Sequence, residues 1–233
     1  MEPQTPAPTP EQTTAKDRVS RIPGFDAEAT PLLSIGIGLT GIVLGLRPRL
    51  APLPLALTAL TAALYRDPDR TTPLDPNGLF AAADGAVLLI DEIYDHRFMH
   101  TDCMRIVTAV SPLDVPVCRS PASGTVRYVA HVSGEYRSAN DSQAAERNER
   151  VYVGIDTAWG PILVIQIASP IGRRIVCKTQ VGDVVEAGTR LGTVRLGCRT
   201  DLLIQRDAAH LLISTGQHLV AGVSRIGAVM PPS

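Results

Sequence analysis

The chain has 233 residues, 45% of them hydrophobic and 19% charged, with a formal net charge of −1. That length and apolar share suit one ample domain or two small ones with a buried core, and the near-zero charge excludes a global basic field for nucleic acid. Aromatic residues make up 4%, with Trp159 the single tryptophan, which argues against base-stacking surfaces. The four cysteines, Cys103, Cys118, Cys177 and Cys198, show no CxxC spacing and predict reduced thiols in a cytosol-facing protein, not a disulfide scaffold.

Residues 1–28 open with "MEPQTPAPTPEQTTAKDRVSRIP", polar and Pro-rich, with no apolar period and no cleavable signal. A disordered tail is expected there. Residues 29–65 hold two apolar runs of 16 residues, "PLLSIGIGLTGIVLGL" and "LAPLPLALTALTAALY", with Arg47, Pro48 and Arg49 between them. A helix of 16 residues covers about 24 Å, short of the roughly 30 Å hydrocarbon core. Neither run has a polar face, which favours a helical hairpin or shallow re-entrant anchor in a membrane over a buried helical pair in a soluble protein. Residues 66–78, charged and Pro-rich, are expected to form an interfacial linker.

From residue 79 to 233 the sequence reads as short β-branched strands punctuated by Gly and Pro: "GAVLLI", "RIVTAV", "GTVRYVAHV", "RVYVGI", "PILVIQIA", "RRIVCKT" and "GTVRL". The predicted fold class is mainly β, barrel-sandwich-like, with few helices and an N-terminal helical membrane anchor. A weak internal repeat supports it: "GEYRSA" at Gly134, "GDVVEAG" at Gly182 and "GQHLVAG" at Gly216 share a Gly-polar opening of hairpin type. Such elements also occur in lipoyl and biotinyl carriers. Those need a modifiable lysine on a hairpin tip, and Lys178 follows an apolar strand instead.

Four segments place polar residues at the edges of apolar strands, where sites are commonly built. They carry Asp84 beside Gly85; Asp114 and Arg119; Asn148, Glu149 and Arg150; and Gln166 with Arg173 and Arg174. Each has a plain reading beside the functional one. Asp84-Gly85 is either a turn or a site, and Arg173-Arg174 is either a solvated face or a phosphate clamp.

Taken in order, these segments carry a family resemblance. An Arg-Asp-Pro step follows the apolar anchor, then come an Ala-Asp-Gly strand, SPLDV…R.P.SGTV, NER, QIA…RRIV, and GD.V..G…G..R.G.R.D. This series resembles the phosphatidylserine decarboxylase family in its short, membrane-anchored form, over residues 66 to 227. The resemblance implies a proenzyme in which the serine of a Gly-Ser step attacks the preceding carbonyl. Elimination then leaves a pyruvoyl group at the new N-terminus. That ketone condenses with the amine of phosphatidylserine and acts as electron sink while CO2 leaves, giving phosphatidylethanolamine. The resemblance further implies a homodimer on the cell membrane, with the catalytic domain facing the cytoplasm and no nucleic acid partner.

On the same resemblance, self-cleavage uses an aspartate–histidine–serine triad. The aspartate falls on Asp84. The family pattern SPLDVHVNR reads SPLDVPVCR here, so Pro116 replaces the histidine and Cys118 the asparagine, and the Gly-Ser step reads Gly197-Cys198. A thiol is more acidic and more nucleophilic than a hydroxyl, so an N-to-S acyl shift at Cys198 would still lead to a pyruvoyl group. The imidazole's loss works against this, since a general base typically contributes about 10²–10⁴-fold. His131, His210 and His218 are the candidates to replace it. Cys198, Gly197 and Asp84 are thus the expected catalytic residues, and Arg173, Arg174, Asp114 and Arg119 the expected substrate-binding ones, with no metal. The competing readings are an uncut homologue that binds phospholipid or regulates an active paralogue, and an enzyme that keeps Cys198 as a free nucleophile.

Overall fold

The computed structural model describes residues 24–26, 29–137, 144–170, 175–194 and 198–229, apart from the side chains of Ala144, Ala145 and Cys198. The chain divides into two compact units, Met1–Pro68 and Asp69–Ser233. Most of the expected tail lies outside the described residues. Its described part is tied down: Phe25 bridges Arg66, and the Asp26 N–H donates to the Tyr65 carbonyl.

In the first unit, helix α1 (Ala29–Leu46) and helix α2 (Pro52–Leu64) pack against each other. α1 stops at Arg47, because the residue before a proline is pushed out of the helical region, and a short 3-10 turn over Pro48–Leu50 reverses the chain. Pro52 opens α2 at a position where its missing N–H costs nothing. Gly36 allows the close approach of Thr58, since a Cβ there would collide with the threonine side chain. The hydroxyls of Ser34, Thr40, Thr58 and Thr61 each donate to the carbonyl four residues back, which satisfies them without water. Large apolar side chains such as Ile35, Leu46 and Leu53 stand exposed. α1 is long and apolar enough to cross a membrane, and α2 is shorter.

The second unit is mainly β. Its strands are β1 (Gly78–Phe80), β2 (Gly85–Tyr94), β3 (Asp102–Val110), β4 (Val117–Arg119), β5 (Gly124–Val132), β6 (Arg150–Thr157), β7 (Gly160–Ile167), β8 (Ile175–Cys177), β9 (Val184–Val185), β10 (Arg190–Val194), β11 (Cys198–Gln205), β12 (Ala209–Leu211), β13 (His218–Leu219) and β14 (Arg225–Val229). A short helix α3 (Ala144–Arg147) precedes β6. Among the described residues the strands form an eight-stranded sheet, β13-β2-β3-β11-β7-β6-β5-β9, and two three-stranded sheets, β1-β14-β12 and β4-β10-β8. All pairings between these strands are antiparallel.

The large sheet repeats about an approximate two-fold axis between β7 and β11. The β2–β3 ladder carries a bulge between Val87 and Leu89, and the β5–β6 ladder carries one between Val126 and Tyr128. β13 pairs with Gly85 and β9 with Gly124, each at a strand start. The turns before and after β13 and β9 hold glycines with positive φ, at Gly216 and Gly222 in one half and Gly182 and Gly188 in the other. The repeat visible at Gly182 and Gly216 is therefore one element of a duplicated half. The main core lies on one face of this sheet and includes Val87, Ile106, Ile155, Ile162, Leu202 and Ile204.

Candidate functional site

Asp84 sits at the turn into β2 and is buried. Gly85 makes that turn: its φ is +136°, and a Cβ there would run into the backbone carbonyl of Ala109, so only glycine fits. Asp84 is held from two sides. Arg70 donates through Nη1 to Oδ1 (2.5 Å) and through Nη2 to Oδ2 (2.7 Å), and the Ala221 N–H donates to Oδ1 at 2.8 Å. Arg70 Nη1 also donates to the Ala221 carbonyl at 3.0 Å. A buried two-pronged pair fixes both planes and aims the carboxylate. Residue reading placed Arg70 in a linker and missed it. The Arg-x-x-Pro spacing gave no sign of a partner 14 positions away.

Beside Asp84 lies a small apolar pocket. Its lining includes Ala83, Val110, Pro116, Cys118, Val194 and Thr200. These come from the turn before β2, the end of β3, the strand β4 and the residue before it, and the strands β10 and β11. Val194 and Thr200 flank residues 195–197 and Cys198 in sequence. Pro116 and Cys118, the two positions that differ from the SPLDVHVNR pattern, line one pocket with Val194 and Thr200. Cys198 opens β11 opposite Val110, and Arg199 follows opposite Ala109. Gly197, Arg173 and Arg174 lie outside the described residues, as does the Cys198 side chain.

β11 was missed in the sequence because it begins Arg-Thr-Asp. Arg199 and Asp201 are both buried and pair through Nε–Oδ1 (2.6 Å) and Nη2–Oδ2 (2.8 Å). An ion pair within one strand supplies the neutralisation that its sequence alone does not suggest.

The remaining candidates divide. Asp114 turns back on its own loop, with Oδ2 accepting the Ser111 N–H at 2.8 Å, and its Oδ1 lies 3.2 Å from His218 Nε2. Ser111 directly follows Val110, the partner of Cys198, so this pair stands at the same end of the sheet. His131 instead lies 2.9 Å from Glu149 Oε1. Arg119 is buried, and its Nη1 donates to the Gly188 carbonyl at 3.0 Å. Asn148 bridges the carbonyls of Arg137 and Ala168 through Nδ2, at 2.8 Å each. Among the described residues no group of three His, Cys, Asp or Glu could hold a metal.

A family model described as phosphatidylserine decarboxylase matches residues 57–227. The chain is similar to proteins named "Phosphatidylserine decarboxylase proenzyme" from several bacteria. It is 35% identical over 193 residues to one from Chlorobium phaeobacteroides (strain DSM 266 / SMG 266 / 2430), covering 81% of this chain and 90% of the relative. It is 34% identical over 226 residues to one from Nocardia farcinica (strain IFM 10152), covering 94% of each. It is 38% identical over 185 residues to one from Salinibacter ruber (strain DSM 13855 / M31), covering 77% of this chain and 81% of the relative.

Proposed function

From a chain that belongs to the phosphatidylserine decarboxylase family, we propose a proenzyme that cuts itself between Gly197 and Cys198 and then decarboxylates phosphatidylserine to phosphatidylethanolamine. The observation that carries this reading is the family match across 57–227, which takes in the whole strand framework around Asp84 and Cys198.

In this reading the Cys198 thiolate attacks the Gly197 carbonyl carbon. The Gly197–Cys198 C–N bond breaks, a thioester forms, and the Cys198 amine takes a proton. Loss of the Cys198 α-proton then breaks the Cβ–S bond. Sulfur leaves with Gly197 as a thiocarboxylate, and Cys198 becomes dehydroalanine. Its enamine tautomerises and water releases ammonia, leaving a pyruvoyl group. When formed, that group supplies an electron sink for loss of CO2 from an amine-bearing head group. The apolar lining from Ala83, Val110, Pro116 and Val194, near the buried Asp84–Arg70 pair, supports this reading, since it keeps water out and strengthens local electrostatics. Asp84 presents its carboxylate at the turn into β2, one strand removed from the cleavage strand, with Arg70 fixing its orientation. His218 with Asp114 supplies an imidazole at the same end of the sheet, where Pro116 offers none. Arg173, Arg174 and Arg119 are the candidate contacts for the lipid phosphate, with Asp114 near the head group. α1 and α2 hold the protein at the cell membrane with the catalytic unit facing the cytoplasm, as a homodimer.

The test is intact mass on freshly purified protein beside Cys198→Ala. Two fragments are expected from the wild type. The small one has a pyruvoyl-blocked N-terminus. The large one, ending at Gly197, is heavier than a plain acid by the difference between sulfur and oxygen until it hydrolyses. Cys198→Ala stays whole. A wild type of full-length mass under all conditions would replace this reading with an uncut, phospholipid-binding homologue.

A further inference from the structure

We propose that the side-chain amide of Gln166 recognises the amino-carboxylate end of the substrate's head group. This rests on the decarboxylase reading above and names a residue for it. Gln166 is fully buried in β7, and neither its Oε1 nor its Nε2 has a hydrogen-bond partner among the described residues. Buried side-chain amides are nearly always paired, because an unmatched one carries its whole desolvation penalty. A group with two orphaned atoms therefore points to something that arrives later.

The duplicated half supplies an internal control. Across the sheet, Thr108, Thr200, Gln166 and Val151 form one cross-strand row. The two-fold relation maps that row onto Ile155, Ile162, Ile204 and Met104, which are paired in the same way. The related row is apolar throughout, with Ile204 of β11 standing where Gln166 of β7 does, so the architecture has no need of an amide. The polar row is the one at the Cys198 end of β11. Thr200 is two residues on from Cys198 and lines the pocket.

The amide end lies against β10 at Gly192. A Cβ there would come within 2.8 Å of Oε1 and 3.1 Å of Nε2, so the glycine leaves the amide its room. Gly192 in turn pairs with Cys118, another lining residue of the pocket. The unpaired amide and the pocket are thus neighbours through Thr200 on one side and Gly192 on the other.

The two orphaned atoms choose the ligand. An oxyanion formed at Gly197 during self-cleavage only accepts, and would satisfy Nε2 alone. The α-amino acid end of a serine head group offers both a carboxylate to accept from Nε2–H and an N–H to donate to Oε1. It satisfies both.

The experiment compares full-length wild type with Gln166→Leu and Gln166→Glu. Self-cleavage is read by intact mass, stability by thermal midpoint, and turnover on phosphatidylserine in mixed micelles. Gln166→Leu is expected to cut as the wild type does and to melt no lower, since an unmatched polar group is removed. Its KM is expected to rise roughly 10- to 100-fold, the weight of a charged hydrogen bond, and by more than kcat falls. Gln166→Glu is expected to raise KM further by setting carboxylate against carboxylate. An unchanged KM in Gln166→Leu overturns the proposal. So does slower self-cleavage with unchanged KM, or a clear loss of stability in Gln166→Leu, which would mark a structural amide. An uncut wild type overturns the decarboxylase reading and this one with it; the other outcomes overturn this one alone.

Discussion

Asp84 and Ser123 occupy equivalent places in the two halves of the large sheet. Asp84 precedes Gly85 and accepts the Ala221 N–H at 2.8 Å; Ser123 precedes Gly124 and accepts the Ala187 N–H at 3.0 Å. Both close the same turn beside an Ala-Gly pair. A neutral hydroxyl does this in one half, so the turn does not require a charge. The other half keeps a buried carboxylate there and must neutralise it with Arg70, which argues for a chemical task at Asp84 beyond turn closure.

Arg70→Met is expected to destabilise the protein by about 3–5 kcal/mol, the usual cost of leaving one member of a buried pair alone. Adding Asp84→Ser should return most of that stability, because it copies the Ser123 arrangement. Self-cleavage should stay absent in the double variant. Urea unfolding and intact mass on the two single variants and the double one check this as a cycle. A double variant as unstable as Arg70→Met would show that the pair holds more than the turn.

Pro116→His returns an imidazole to the pocket. The backbone at that position stays paired, since the Val194 N–H donates to the Pro116 carbonyl at 3.0 Å. If a general base limits processing, cleavage should accelerate by roughly 10²-fold or more. Precursor half-life followed by mass is the measurement. An unchanged rate would mean that the cysteine needs no base at that place.

The strands rich in β-branched residues were legible in the sequence, because β2, β3, β5, β6 and β7 bury such residues in the main core. The Ala-Asp-Gly turn was legible too, since a glycine there marks a backbone no other residue adopts. β11 was not, because its first turn of sequence is Arg199-Thr200-Asp201 and the charges cancel only once folded. Arg70 was hidden for the same reason: a proline-rich charged stretch reads as solvated until its partner is known. Gln166 stood out as a polar residue in an apolar strand. Its lack of a partner is a property of packing, which no pattern carries.

Asp201→Ala should be costly despite lying outside the pocket. It leaves the Arg199 guanidinium buried on the strand that Cys198 opens. A loss of about 3–5 kcal/mol is expected, with Asp201→Asn losing less because the amide still accepts a hydrogen bond. Denaturant midpoints at constant slope decide it. Equal losses for the two variants would mean that charge plays no part.

Cys103 gives the protein an alkaline limit of its own. Burial, then the nearby charge of Asp95, pushes its thiol from an ordinary 9.0 up to about 11, and its Sγ donates to the Thr101 carbonyl at 3.3 Å. Folding thus favours the protonated thiol. Since the folded value lies above the unfolded one, the stabilisation is complete below about pH 9 and is lost as the pH climbs to about 11. Two pKa steps correspond to about 2–3 kcal/mol. Unfolding free energy measured from pH 8 to 11 should fall by about that much in the wild type. Most of that fall should vanish in Cys103→Val, which has no proton to lose. The same slope in both proteins would place the alkaline limit elsewhere. Slow alkylation of Cys103 in the folded protein at neutral pH is the companion result, because only the thiolate reacts.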